Sequence, residues 1–387
     1  MKLLGRRYDT GAAVCVHCEG AKIGRIEPLS APPADDLPWL APGLIDIQIN
    51  GYGGQEFSSP DLTEEKVARI VEALTPFGVA RFCPTVTTEG YAVLSHALRT
   101  IAKAWESMPA VACRMAGIHL EGPYVAQEDG PRGAHPRAHC RAPDWDEFQR
   151  LQEAAQGKIR LLTVSPEYDN ACDFIQRVVE SGVVVSIGHT AATPAQVHAG
   201  AAAGARFSTH LGNGAHPILA RHPNYIWAQL ADDRLVAGLI ADGHHLPADV
   251  VKAMIRCKTP ERCVLVSDLS GLAGLPPGRY KGNLCEAEIL PDGKLVVAGQ
   301  RAILAGATFP ITNCVLNAME FAELTMEKAV NMTTLNPARL LGLEGGDLNV
   351  GSRADLVLFR VPAADQPGPR ALQVATLVVG GQVVYGA

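Results

Sequence analysis

Glu121, His189, His210 and Asp268 are residue types that bind a divalent metal and move protons beside it. Each stands at or just past the end of a separate β-like apolar run: MAGIHLEGP, VVVSIGHT, ARFSTHLGN and CVLVSDLSG. One carboxylate with two imidazoles, here Glu121, His189 and His210, is a common catalytic zinc set that leaves a position for water. A metal held there would lower the pKa of bound water toward ~7. Asp268 is placed to accept that water's proton and return it to a leaving group. Taken singly, a strand-end histidine is more often a structural hydrogen-bonding residue, and a lone aspartate more often caps a helix. Four matched residue types at four matched positions favour chemistry. His119, two residues before Glu121, faces the same side of its strand and reads either as a support to the site or as a core histidine. His17, His96, His139, His198 and His222 read as polar surface or loop residues, and His216 and His244 carry no assignment.

Residues so far apart in sequence meet only in a fold that gathers strand ends at one point. Eight β-branched runs alternate with helical stretches between residues 42 and 343: GLIDIQI, ARFCPTV, RMAGIHL, IRLLTVS, VVVSIGH, ARFSTHL, VAGLIAD and CVLVSDL. An eightfold βα alternation predicts a closed parallel (β/α)8 barrel, whose catalytic groups come from strand C-terminal ends and the loops that follow. Gln48 and Asn50 end the first run, and His245 follows the seventh. Asp61 or Thr63 is placed to cap EEKVARIVEAL, Thr193-Pro194 opens AQVHAGAAAG, and Pro247 starts ADVVKAMIRC. The chain ends differ. Residues 1–41 alternate in short runs broken by glycine and by the proline pair 32–33. The C-terminus ends in ADLVLFRV and TLVVGGQVVY, the latter a hairpin turning at Gly380-Gly381, with a loop at 362–369 between them. A lone hairpin is marginal in water, so residues 1–41 and 344–387 are expected to pair into one small β-sandwich domain beside a barrel of residues 42–343.

The chain has 387 residues, of which 47% are hydrophobic and 19% charged, enough for a large buried core. Its net charge of -6, with no clustered basic stripe, argues against nucleic acid or an anionic membrane as a partner. The N-terminus has charge and glycine where a secretory signal would be apolar, and no run approaches a membrane span, so a cytoplasmic location is expected. The ten cysteines are expected to be reduced thiols. Cys15 and Cys18 form a C-x-x-C in a strand, where they point to opposite faces, which disfavours a zinc or redox role.

In order, PGLIDIQINGYGG, GIHLEGPY, RGAHP, SIGHT, THLGN, ADGHH and LVSD resemble the N-acetylglucosamine-6-phosphate deacetylases of the amidohydrolase superfamily. LNPARLLGL and GSRADLVLF continue the likeness past the barrel. The resemblance implies hydrolysis of the N-acetyl group of an amino-sugar 6-phosphate to acetate and a free amine. It implies Glu121, His189 and His210 as ligands of one divalent ion (zinc first, with iron, manganese or cobalt as alternatives) and Asp268 as general base and then acid. It further implies that His135 of RGAHP binds substrate and polarises the acetyl carbonyl. His245 and the backbone around Asn213 and Gly214 would contact the sugar phosphate. Arg221 would reach the phosphate from a neighbouring subunit, implying a homodimer.

Two departures are informative. Many amidohydrolases hold a second metal with His-x-His at the first strand end. Here Gln48 and Asn50 stand in those positions as poorer ligands, a vestigial second-metal position, so one metal is expected. The loops LGNGAHP, LSGLAG and AGATFPI differ from the family's usual pocket segments. They leave N-acetylgalactosamine 6-phosphate, or another N-acyl amine, as an alternative substrate. A barrel that has lost catalysis and only binds would show a broken ligand set or a missing proton shuttle. The sequence shows neither.

Overall fold

The computed structural model describes residues 1–31, 34–363 and 370–386. The proline pair 32–33 and most of the expected 362–369 loop lie outside them. Eight strands form one parallel sheet in sequence order: β1 (Leu44–Ile49), β2 (Val79–Thr87), β3 (Ile118–Glu121), β4 (Ile159–Val164), β5 (Val184–Ile187), β6 (Phe207–Ser208), β7 (Val236–Leu239) and β8 (Cys263–Leu265). All eight expected runs are present. The sheet closes on itself just beyond β8, where Ile49 bridges Leu269 in parallel and the Asp268 amide donates to the Gln48 carbonyl at 3.1 Å. Every residue of β1 and β2 is buried. Strands covered on both faces, by helices outside and packed side chains inside, need such continuous apolar runs.

Between the strands run helices that start where their sequence signals lie. Thr63, rather than Asp61, caps Glu64–Ala73 by accepting from the Lys66 amide. Thr193 and Gln196 form a reciprocal capping box on Pro194–Ala202, and Pro247 precedes Ala248–Lys258.

Both chain ends contribute to a seven-stranded mixed sheet, in the order Gln382–Tyr385, Gln373–Val379, Leu356–Arg360, Trp39–Pro42, Lys2–Arg7, Ala13–Glu19 and Lys22–Pro28. The C-terminal hairpin pairs Val379 with Gln382 across Gly380-Gly381, as expected. Where the sequence suggested a sandwich, one sheet forms, because Trp39–Pro42 joins the N-terminal strands to Leu356–Arg360 edge to edge. A four-stranded antiparallel meander, Gly278–Lys281, Glu286–Ile289, Leu295–Val297 and Gln300–Leu304, was not foreseen. It sits between β8 and the helix Ile311–Ala322 and has its own small core of Leu272, Ala287, Ile289 and Leu295. All ten cysteine thiols are free, and Cys15 and Cys18 are buried. Among the described residues no helix is long and apolar enough to cross a membrane.

Candidate active site

The C-terminal ends of the barrel strands converge on a cavity of about 790 Å³ lined by Glu121, His135, His189, His210, Asn213, His245 and Asp268, among others. Glu121 is the last residue of β3, while His189 and His210 lie two residues past β5 and β6, and Asp268 three past β8. His189, His210 and Asp268 have positive φ values of 48°, 26° and 52°, a region that non-glycine residues seldom occupy. That turn ends each strand and swings the side chain inward over the barrel mouth. Strain of this kind persists only where surrounding structure over-determines it.

Glu121, His189 and His210 are all buried, and their donor atoms lie within 4.8 Å of one another. Oε1 of Glu121 is 3.0 Å from Nε2 of His210 and 3.3 Å from Nε2 of His189, and the two Nε2 atoms are 3.0 Å apart. Nδ1 of His189 meets the Pro131 carbonyl at 2.9 Å, so this nitrogen carries the ring proton and Nε2 offers a lone pair. A carboxylate oxygen and two imidazole nitrogens thus aim electron pairs at one small volume, a donor set that fits a divalent cation. Burial alone would raise the Glu121 carboxyl, but the facing His189 and His210 rings outweigh it and hold the group well below its usual range. The same contact, opposed by burial, raises His210.

Asp268 is buried 8% exposed at the cavity edge, and burial followed by the Glu121 charge pushes its carboxyl upward. Its Oδ1 accepts from Gln48 Nε2 at 3.1 Å and from Asn50 Nδ2 at 2.8 Å. Gln48 Nε2 also donates to Glu121 Oε1 at 2.8 Å. Gln48 and Asn50 therefore serve here as amide donors that lock two carboxylates in place. The Oδ2 atom of Asp268 makes none of these bonds.

His135 is buried, and its Nδ1 lies 2.7 Å from Thr88 Oγ1 while its ring packs on His189 at 4.2 Å between centroids. Burial, then the neighbouring His189, lowers its imidazole to about 3, so it is neutral near pH 7. His245 is oriented by Asp242, whose Oδ2 is 2.8 Å from Nδ1. Asn213 Nδ2 donates to the His210 carbonyl at 3.2 Å. Gly214 has φ 54°, and a Cβ there would lie 2.5 Å from His189 Nδ1, so only glycine leaves room for that ring. Arg221 is exposed and lies outside the cavity lining of its own chain. His119 faces inward below the site, with Nε2 2.8 Å from Thr163 Oγ1, and burial lowers it to about 4. His216 clips two cavity loops together, with Nε2 3.0 Å from Glu128 and Nδ1 3.0 Å from the Tyr225 hydroxyl.

A family model described as the amidohydrolase family matches residues 39–384. The chain belongs to the amidohydrolase family. Within it, the chain belongs with the N-acetylglucosamine-6-phosphate deacetylases. It is 33% identical to the human protein of that name, over 90% of this chain and 84% of that protein. It is equally 33% identical to an N-acetylgalactosamine-6-phosphate deacetylase of Escherichia coli O157:H7, over 87% of each chain. A crystal structure of the Mycobacterium smegmatis N-acetyl-D-glucosamine-6-phosphate deacetylase superposes with a TM-score of 0.88 at 29% identity, covering 100% of both chains. A second structure from that organism, in complex with N-acetyl-D-glucosamine 6-phosphate, gives 0.87 at 28% identity over 99% of each chain.

Sequence reasoning missed part of this amidohydrolase's cavity. Leu284, Cys285 and residues 300–306 of the inserted meander line it, as do Glu56 and Ser58. The Asp292-Gly293 turn between short alternating runs was the available signal for the meander. Thr88, beside His135, had no motif to mark it.

Proposed function

We propose that this amidohydrolase removes the acetyl group from N-acetylglucosamine 6-phosphate, releasing acetate and glucosamine 6-phosphate. The observation that carries the reading is the buried Glu121, His189 and His210 donor set with Asp268 held beside it by Gln48 and Asn50. A divalent ion held by the three donors, zinc first among the candidates, would supply Lewis acidity toward water and the acetyl carbonyl. Asp268, anchored through Oδ1, has Oδ2 to take a proton from the attacking water and return it to the departing nitrogen. A carboxyl whose pKa is raised by burial suits both halves of that transfer. His135 presents its free ring nitrogen to the acetyl oxygen, where negative charge develops. His245 and the Asn213–Gly214 backbone take the 6-phosphate. Arg221, exposed on its own subunit, completes the phosphate site of a second copy in a homodimer.

N-acetylgalactosamine 6-phosphate is the second reading. It is favoured by a relative of that activity at 33% identity, the same identity as that to the human N-acetylglucosamine-6-phosphate deacetylase. Acetate release from N-acetylated hexosamines, each with and without the 6-phosphate, tests both readings. Fastest turnover on N-acetylglucosamine 6-phosphate is expected. Faster turnover on the galacto epimer would transfer the assignment, and equal turnover without phosphate would remove the phosphosugar reading.

A further inference from the structure

Glu56 and Ser58 stand two residues apart beyond the first barrel strand, and both line the active-site cavity. The proposed reaction uses neither. The Glu56 side chain is held along its length. A Cβ on Gly271 would lie 2.0 Å from its Cγ, so the stem runs flush against that glycine. Its Oε2 accepts from the Asn283 amide at 3.0 Å, in the first turn of the meander. Burial pushes the carboxyl above its usual range, opposed by that backbone bond, and no cation among the described residues neutralises it. An ionised carboxylate offers about four lone-pair sites. Oε1 makes no hydrogen bond among the described residues and is not sealed from solvent, so its lone pairs open onto the cavity.

Ser58 is the complement. It is 4% exposed, and its Oγ accepts twice from Thr87, from the amide at 2.8 Å and from the hydroxyl at 2.9 Å. A serine hydroxyl has two lone pairs and one proton. Both lone pairs are engaged, and the proton meets no acceptor among the described residues. A desolvated charge with vacant sites and a buried hydroxyl with an unspent proton are each costly to leave unpaired. Together on one cavity wall they match a ligand that donates to one and accepts from the other, as the hydroxyls of a sugar ring do. An ammonium group would satisfy Glu56 and leave Ser58 without an acceptor, and a phosphate would be repelled by Glu56. We propose that Glu56 and Ser58 form a hydroxyl-binding subsite, in which Glu56 Oε1 accepts from a ring hydroxyl of the hexosamine and Ser58 Oγ donates to a ring hydroxyl oxygen.

The subsite rests on the amino-sugar reading of the cavity. Steady-state kinetics of the zinc-loaded full-length protein test it, on N-acetylglucosamine 6-phosphate and on analogues lacking the hydroxyl at C1, C3 or C4. Glu56→Gln keeps an oxygen for the Asn283 amide and turns the free acceptor into a donor. Its kcat/KM should fall about 10- to 100-fold, the scale of a hydrogen bond to a charged group. Zinc content and hydrogen-exchange protection of the Asn283 amide should match the wild type. The penalty should vanish on the one analogue that lacks the partner hydroxyl. Ser58→Ala should cost about 3- to 10-fold, the scale of a neutral hydrogen bond. A Glu56→Gln variant as active as the wild type overturns the proposal, as does a penalty of equal size on all three deoxy analogues. Loss of Asn283 protection in Glu56→Gln also overturns it, because Glu56 would then act by holding the meander. A fully active Ser58→Ala overturns the donor half. A wild type that releases acetate from no N-acetylhexosamine 6-phosphate brings down the functional reading and this subsite together. An active wild type with an unaffected Glu56→Gln rejects the subsite alone.

Discussion

The two ends of the barrel treat buried polar groups in opposite ways. At the C-terminal mouth, His189, His210 and Asp268 adopt positive φ, and Gln48 Oε1, Asn50 Oδ1 and His210 Nδ1 are buried without a hydrogen-bond partner. At the N-terminal end, buried cations are matched to acceptors. Lys258 Nζ donates to the carbonyls of Asp232 and Leu235 at 2.6 and 2.8 Å, and Arg114 Nε donates to the Ala80 carbonyl at 2.9 Å. Arg81 Nε lies 3.1 Å from Asp355 Oδ2, within ion-pair reach although not aligned as a hydrogen bond. Asp355 also accepts from Arg353 and from the Gly380 amide, which ties the barrel base to the seven-stranded sheet. Positive φ and unpaired buried polar atoms thus gather at the cavity end, and buried cations matched to acceptors at the other.

Substitutions at the two ends should therefore separate activity from stability. Asp268→Asn preserves the acceptor for Gln48 and Asn50 but removes the proton shuttle. Turnover should fall by roughly 10³-fold or more, toward the upper range for a lost general acid–base. Metal content and the urea midpoint should be unchanged, and substantial residual acetate release would remove Asp268 from its role.

At the opposite end, Asp355→Asn leaves Arg81 buried without its counter-charge and should reduce unfolding free energy by about 3–5 kcal/mol. Urea denaturation measures this, and kcat at a temperature where the variant is folded should stay at the wild-type value. Lys258→Met keeps the apolar stem but strands two carbonyls. A loss of about 1–3 kcal/mol per unsatisfied group is the expected scale. A variant as stable as the wild type would show that water reaches those carbonyls.

Asp46 gives the most diagnostic effect, a pH dependence with no expected loss of turnover. Burial raises its carboxyl to about 7, against hydrogen bonds from Ser267 and the Gln48 amide that lower it. Between the ordinary aspartate value of about 4 and this raised value, the folded state binds the extra proton. Stability from this group is therefore fully present below about pH 4 and is lost as pH rises through about 7. Asp46→Asn should flatten the fall of the urea midpoint across that window, and an unchanged slope would assign the pH dependence to other groups.

Much of this was legible from local pattern. The eight β-branched runs are the eight barrel strands because a strand buried on both faces admits few other residues. The capping signals at Thr63 and Thr193 act within one helical turn, and the Gly380-Gly381 turn within one hairpin. The meander at 278–304 escaped because its strands are three to five residues long and partly exposed, with no sustained period to read. The actual strand ends were also hidden. β8 stops at Leu265, three residues before Asp268, because the chain leaves the extended region to reach that positive φ.

By itself, the sequence determined the kinds of donor, their placement at strand ends and the barrel that had to gather them. All of these depend on residue type and short-range period. Tertiary structure decided who meets whom. Gln48 bonds Glu121 across 73 positions and Asp268 across 220, and Thr88 meets His135 across 47. No spacing encodes such pairs, since a hydrogen bond depends on a distance set by the whole closed sheet. That closure makes Gln48 and Asn50, read from the sequence only as poor metal ligands, the anchors of Asp268.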